Sequence, residues 1–276
     1  MRKIALFVTI AVILATAYSC KGKSAIKHDK LELEPCSLNL MTYLNNDTSK
    51  QSLDMRLSIE YPAKYPDQAL LTKVRKAVLR DFFPEADSEY EDPKAVLNAY
   101  AKDYKKFFQE SGNGEANPEE EGFVQDDPWY NYQKMIVRYN DDGLFSYTVY
   151  SDRYTGGAHG GKNFLNAVID MKTGNRITED DLFTEEAKPM VIKMIVNKIL
   201  EKNQVRTVGE LEDIGYFDIS EISLNKNFFL NDKGITYTFN EYEIAGYAVG
   251  TTEVFLDYAS LSGLMKQGNP IETLMD

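Results

Sequence analysis

Between Ser37 and Ile59, apolar and polar residues alternate in two runs separated by Asn45-Asn46-Asp47. A period of two is that of a half-buried strand, and Asn and Asp supply turn chemistry. The pattern therefore predicts a hairpin: one strand to about Leu44, then a second with Leu53, Met55, Leu57 and Ile59 on one face. The period then lengthens. Leu70, Leu71, Val74, Val78 and Phe82 share a helical stripe behind the capping residue Asp67. A second stripe, Val96, Tyr100, Tyr104, Phe107 and Phe108, follows Asp92-Pro93, where proline's missing N–H costs nothing at the first helical position. Ser111 to Gly122, with Gly, Asn, Pro and three consecutive glutamates, reads as an acidic loop.

Alternation then returns. Met135, Val137 and Tyr139, the turn Asn140-Asp141-Asp142-Gly143, and Phe145, Tyr147 and Val149 predict a second hairpin. A strand from about Phe164 to Asp170 ends at Lys172-Thr173-Gly174-Asn175, and a third helix capped by Thr184 carries Met190, Val191, Met194, Ile195 and Ile199. A hairpin through Asn231-Asp232-Lys233-Gly234 puts Ile235, Tyr237 and Phe239 on one face, before a last strand at about Thr252 to Asp257 and a short helix near Leu261. Antiparallel hairpins with interspersed helices predict an α+β fold, expected as two similar halves spanning residues 36–160 and 161–276.

The N-terminus changes the picture of where this fold resides. Arg2 and Lys3 precede an almost wholly apolar run, Ile4 to Ala17, and small or neutral residues lead to Cys20. That run is shorter than the ~20 residues of a membrane span and is laid out as a secretory signal, residues 1–19. Cys20 then becomes a lipidated N-terminus, with Ala17 and Tyr18 departing from the familiar lipobox, and residues 20–35 a tether. The expected location is the cell envelope, facing the periplasm rather than the surface because Lys21-Gly22-Lys23 lacks an acidic export stretch. Cys36 alone remains for the folded part, so an internal disulfide and a cysteine-rich metal site are excluded. The formal charge of −12 becomes −14 once Arg2 and Lys3 leave with the signal. This balance argues against nucleic acid; solubility is its simpler explanation, and it would also favour a basic partner through steering.

Candidate chemistry is sparse. The stretch Tyr154-Thr155-Gly156-Gly157-Ala158-His159-Gly160-Gly161 concentrates glycines where the backbone needs positive φ or close approach. It lacks the Gly-Lys-Ser/Thr ending of a phosphate loop. His159 is the one histidine outside the tether; Asp152 or Asp170 would have to orient it as a general base, and no nucleophile stands at a recognisable spacing. A turn-shaping role for Tyr154, Gly156, Gly157, His159 and Gly160 is the simpler reading. The pairs Asp126-Asp127, Asp141-Asp142 and Asp180-Asp181 match no calcium loop, and two of them sit where turns or helix starts already want Asp. No metal and no cofactor are implied. Of the 18 tyrosines and 14 phenylalanines, most occupy core positions; Trp129, Tyr130, Tyr242 and Tyr247 fall in predicted loops and are the candidates for ligand contact.

Tyr154-x-Gly-Gly-Ala-His-Gly160, Asp170-x-x-Thr-Gly174, Asp181-Leu-Phe183 and Tyr242-x-Ile-x-x-Tyr-x-x-Gly250 with Glu253-Val and Tyr258 together resemble the signature of the RsiV-like domains. The hairpin and helices before Tyr154 resemble that family's companion N-terminal module. The resemblance implies an extracytoplasmic domain of the kind found in anti-sigma factors, peptidoglycan deacetylases and free-standing lipoproteins. In the anti-sigma factor the domain receives lysozyme; in the deacetylases the chemistry lies in a separate catalytic domain. The expectation is a non-catalytic lipoprotein binding a protein or cell-wall ligand, either a basic muramidase such as lysozyme or peptidoglycan, and touching membrane only through its anchor. Two rivals stand beside it: a hydrolase of envelope glycans or peptides using His159 and a nearby Asp, and a subunit of a surface complex.

Overall fold

The structure is a computed structural model, and it describes residues 30–84, 92–111 and 127–275. The expected signal, Cys20, most of the tether, Asp126 and nearly all of the acidic loop lie outside the described residues.

The first hairpin forms as the alternation predicts, but it is longer. β1 spans Glu32–Tyr43 and β2 spans Ser52–Lys64, in antiparallel register with Cys36 opposite Ile59 and Leu40 opposite Met55. The strand therefore begins inside the segment assigned to the tether. Leu31, 3% exposed, is already fixed, its N–H donating to Asn140 and its carbonyl accepting from the same side chain. The sequence boundary at residue 35 is corrected by these contacts: Pro35 interrupts the visible alternation but sits on an edge strand, where its missing N–H is tolerated.

α1 (Gln68–Phe82) starts where Asp67 accepts the N–H of Leu70 at 3.0 Å, and α2 (Pro93–Ser111) starts at the expected proline. Both helices cover one face of a six-stranded sheet ordered β1-β2-β3-β4-β5-β6. β3 is Trp129–Asp141, β4 Leu144–Tyr154, β5 Gly161–Asp170 and β6 Asn175–Arg176. The β2–β3 pair is parallel, with α1 and α2 between its strands in sequence, and every other pair is antiparallel. Leu53, Met55, Leu57 and Ile59 of β2 close against Val74, Val78 and Phe82 of α1, and Phe108 of α2 lies in the same core. Each such fully buried side chain stabilises by roughly 1.5–3 kcal/mol.

The second unit begins with α3 (Glu179–Leu182), capped by a reciprocal Thr178–Asp181 box. α4 (Lys188–Asn203) follows. Thr184 contributes to its start through its backbone carbonyl, accepting from Ala187 and Lys188, rather than through its hydroxyl. α5 (Val208–Asp213) leads to a three-stranded sheet, β7 (Phe228–Leu230), β8 (Gly234–Phe239) and β9 (Thr252–Asp257), and then to α6 (Tyr258–Leu261).

The two units meet across β4 and β5. Phe145, Tyr147 and Val149 belong to the core beneath α1, whereas Leu144 and Val168 belong to the core of the second unit. Both faces of this stretch of β4 are therefore buried. Polar groups fix the docking: Asn166 donates to Thr238 Oγ1 and accepts from Thr148, and Leu230 N–H donates to Ser146 Oγ. The boundary expected between residues 160 and 161 falls inside the β4–β5 hairpin, where Arg153 faces Gly161. The glycine run is the turn of that hairpin.

Candidate functional site

Only part of the outer face of the six-stranded sheet lies under the second unit. The remainder is set by strand parity. On β3, Trp129 and Asn131 point toward α2 and Gln133 toward the end of α1, and all three are buried, so Tyr130 and Tyr132 point outward. Register places Asp54 beside Tyr130, Arg56 beside Tyr132, Tyr130 opposite Tyr154, Tyr132 opposite Asp152, and Asp152 opposite Lys162. The result is a tyrosine row. The ring centroids of Tyr130 and Tyr132 are 5.0 Å apart and those of Tyr130 and Tyr154 6.0 Å, with interplanar angles of 22° and 26°.

Carboxylates hold the phenol hydroxyls of this row and of neighbouring Tyr150. Tyr132 donates to Asp54 at 2.8 Å, Tyr150 to Asp152 at 3.1 Å, and Tyr154 lies within reach of Asp127 at 3.1 Å and the Gly157 carbonyl at 2.9 Å. Burial first, and the bonded carboxylates second, raise the pKa of Tyr132 and Tyr154, and push that of Tyr150 up to about 12. The phenols are thus donors at neutral pH and not nucleophiles or bases. Arg56 pairs with Asp54 at 2.6 Å and lays its guanidinium 4.9 Å from the centre of the Tyr132 ring.

The glycine-rich turn ends this row. A Cβ on Gly160 would stand 2.5 Å from the Tyr130 hydroxyl and 2.9 Å from the Arg153 carbonyl, so close approach requires glycine there. Gly156 and Gly157 take positive φ, 98° and 94°. Together they present His159 to Tyr242 and Tyr247, which stand in the loop between β8 and β9 of the second unit. His159 and Tyr247 stack at 3.9 Å with planes 18° apart. Tyr242 donates to or accepts from His159 Nε2 at 3.2 Å, with ring centres 6.4 Å apart and planes 22° apart. Tyr242 stands equally far from Tyr247, at 6.4 Å with planes 23° apart, so it flanks the His159–Tyr247 stack with its ring near parallel to both. All three are exposed, Tyr242 by 57% and Tyr247 by 43%.

Of the residues singled out from sequence, Tyr130, Tyr154, Gly156, Gly157, His159, Gly160, Tyr242 and Tyr247 converge here. Trp129 does not. It is 7% exposed and packs against Phe107 and Phe108, because strand parity sends it inward beside the outward-facing Tyr130. Sequence reasoning missed Tyr132, Tyr150, Asp54 and Asp152. Their signal was present as the second set of an alternating strand, the set opposite the core.

The arrangement does not form an acid–base pair. His159 Nδ1 meets the Gly160 carbonyl at 2.7 Å and Nε2 meets Tyr242. Asp152 accepts from Tyr150, and Asp170 closes its own turn by accepting from Lys172 N–H and the Thr173 hydroxyl. Both carboxylates that could have oriented the imidazole are engaged elsewhere. Among the described residues, no three His, Cys, Asp or Glu side chains gather as a metal site.

Comparison with known proteins agrees with this two-unit organisation. The family described as "Deacetylase PdaC" matches residues 45–162, and that described as "Protein of unknown function (DUF3298)" matches residues 180–259. A solved structure of a DUF3298 family member from Bacteroides fragilis is 26% identical, with a TM-score of 0.77 over 90% of this chain and 99% of that one. Another, from Pseudomonas aeruginosa, is 18% identical with a TM-score of 0.59 over 88% and 97% of the two chains, a likeness of fold alone. No curated protein matches the sequence.

Proposed function

The chain carries the RsiV-like combination of a PdaC-type module followed by a DUF3298 module, an extracytoplasmic domain pairing, and from that premise we propose that it is a non-catalytic binding protein of the cell envelope, tethered by lipid on Cys20. Its ligand, a protein or a cell-wall polymer, docks on the face formed by His159, Tyr242, Tyr247 and the tyrosine row. The observation that carries this reading is the use made of His159. Its ring is spent on an exposed aromatic platform rather than on a carboxylate and a nucleophile. Flat exposed aromatics contribute large contact area at small conformational cost, which is binding chemistry.

Charge supports a basic protein as the macromolecular version of this ligand, a lysozyme-type muramidase being the specific case. The whole chain carries −12, and such complementarity steers association and weakens with salt. The test is a pull-down with the full chain against envelope extract, lysozyme and purified peptidoglycan, at low and high salt, beside a Tyr242→Ala/Tyr247→Ala double variant. Capture by the native chain and loss by the variant is the expected result. Equal capture by both would remove the platform from the function, and turnover of glycan or peptide abolished by His159→Ala would replace binding with hydrolysis.

A further inference from the structure

We infer that Arg138, held over Phe229 where the two units meet, anchors a binding site for a monocarboxylate whose apolar part rests on Phe255. This site lies beyond the face proposed above, because Arg138 stands roughly 20 Å along β3 from Tyr132.

A bulge in β3 sets its aim. Val137 faces Tyr147 and Tyr139 faces Ser146, so Arg138 is the extra residue without a partner on β4. A bulge gives up ladder pairing and re-aims side chains. Here it sends two consecutive residues to the second unit. Tyr139 packs on that unit's core, and Arg138 lays its guanidinium 4.2 Å from the centre of the Phe229 ring. The head group is then fixed. Its Nε donates to Thr148 Oγ1 at 2.9 Å, and that hydroxyl is itself committed to Asn166 at 2.6 Å within the seam.

What Arg138 lacks is a counter-ion. The chain holds 43 Asp and Glu residues, yet among the described residues Arg138 enters no ion pair, and its one hydrogen bond is the Nε contact with Thr148. Glu253 of β9 is the carboxylate whose charge reaches it, from outside ion-pair contact. Arg138 is partly buried, and that burial lowers its pKa while Glu253 opposes the shift. An apolar side chain would roof Phe229 without desolvating a charge, which costs free energy until a partner arrives. The guanidinium thus points to an anion brought from outside.

Geometry chooses among anions. With Nε taken by Thr148 and one face taken by Phe229, the Nη edge remains, and parallel N–H groups match the two oxygens of a carboxylate. A phosphate or sulfate dianion would leave negative charge uncompensated beside Glu253. A cation is repelled by Arg138, and a neutral ligand leaves the guanidinium unpaired.

The neighbouring strip supplies the apolar contact. Register aligns Phe229 with Thr236 and Thr236 with Phe255. Their face is the one turned away from the core, which takes Phe228, Leu230, Ile235 and Leu256 instead. Phe229 and Thr236 are 8% exposed and Phe255 44%. The Phe255 ring lies across Gly234, where a Cβ would stand 2.7 Å from it. Carboxylate seat and exposed ring are two strands apart, roughly 10 Å, so a ligand of dipeptide size reaches both.

The test is ligand-observed NMR titration of the full chain in detergent with N-acetyl-phenylalanyl-glycine, its neutral C-terminal amide, and inorganic phosphate as competitor. Saturable binding of the acid is expected, with the amide about tenfold weaker or more and no displacement by equimolar phosphate. Arg138→Met should weaken the acid about tenfold or more while the urea midpoint holds or rises, since a desolvated charge is gone and Phe229 stays covered. A merely structural arginine would lower that midpoint. Phe255→Ala should weaken binding severalfold, and Glu253→Gln should tighten it about two- to fivefold by removing a repelling charge. Arg138→Lys keeps the charge without the planar fork; it should also lose about tenfold, and it carries the test if Arg138→Met does not fold. Equal binding of acid and amide, displacement by phosphate, native affinity in both Arg138 variants, or no binding of the acid would each overturn the assignment.

Discussion

Tyr242 Oη meets His159 Nε2 at 3.2 Å across 83 residues of chain, joining a turn of the first sheet to a loop of the second unit. The contact is exposed, so neither ring is there to fill a core.

From this comes a prediction that separates stability from function. The left-handed backbone of Tyr242 costs about 1–2 kcal/mol for an ordinary side chain, and the exposed hydrogen bond to His159 offsets about 0.5–1 kcal/mol of that. Tyr242→Asn is therefore expected to keep or raise the urea midpoint while ligand capture is lost. A fall of more than about 2 kcal/mol would make Tyr242 a structural residue.

Gly160 and Gly157 provide a paired comparison. Both sit in the same turn, but a Cβ at Gly160 strikes the Tyr130 hydroxyl and the Arg153 carbonyl, whereas one at Gly157 meets nothing within 4 Å and suffers only from φ +94°. Gly157→Ala should cost about 1 kcal/mol or slightly more and leave the row in place. Gly160→Ala should cost about 1–3 kcal/mol and displace Tyr130, visible as loss of ligand binding beyond that of Gly157→Ala.

Asp81 is buried on α1, where it pairs with Arg176 of β6 and accepts the Tyr147 hydroxyl at 2.7 Å. Removing one partner strands a carboxylate in the core. Arg176→Ala is expected to cost about 2–3 kcal/mol, less than a wholly buried pair because the Arg176 side chain is 35% exposed. Tyr147→Phe should cost about 1–2 kcal/mol. Thermal and urea unfolding measure both, and a change within about 0.5 kcal/mol for Arg176→Ala would show the pair to be dispensable.

Glu179 sets a pH dependence. It is 2% exposed, its carboxylate accepts the Lys226 N–H at 2.7 Å, and burial raises its pKa above the usual carboxylate value. The folded state then holds the proton more tightly than the unfolded state. Its contribution to stability is full below the unfolded pKa, near 4.5, and is lost as pH rises through the folded pKa. Glu179→Gln should therefore gain on the native protein once pH rises above about 4.5, in parallel urea titrations run over a range from about pH 4 to about pH 7. A constant difference across that range would remove Glu179 as the titrating group.

Much of the fold was legible because its signals are local. Period-two runs gave β1, β2, β4 and β8, and Asp67 and Pro93 marked two helix starts, since strand faces and caps depend on neighbouring residues alone. The parallel β2–β3 pairing was not legible, because it joins segments separated by two helices and leaves no local trace. Nor was the outward face of β3. The bulge between Val137 and Tyr139 shifts its register, and Tyr139 packs on the second core although Met135 belongs to the first. The candidate site was half visible. The glycines and His159 stood out by composition, and Tyr242 and Tyr247 by their place in a loop. Tyr132 and Tyr150 were hidden among core-like aromatics until strand parity sorted them.

The docking of the two units through Ser146, Thr148, Asn166, Leu230 and Thr238 has a mechanical consequence. His159 belongs to one side of that seam, and Tyr242 and Tyr247 to the other. The platform exists only while the seam is closed. A pull that separates the units would erase the binding face while each sheet remained intact, so grip on the ligand would fail at the joint before either half lost its fold.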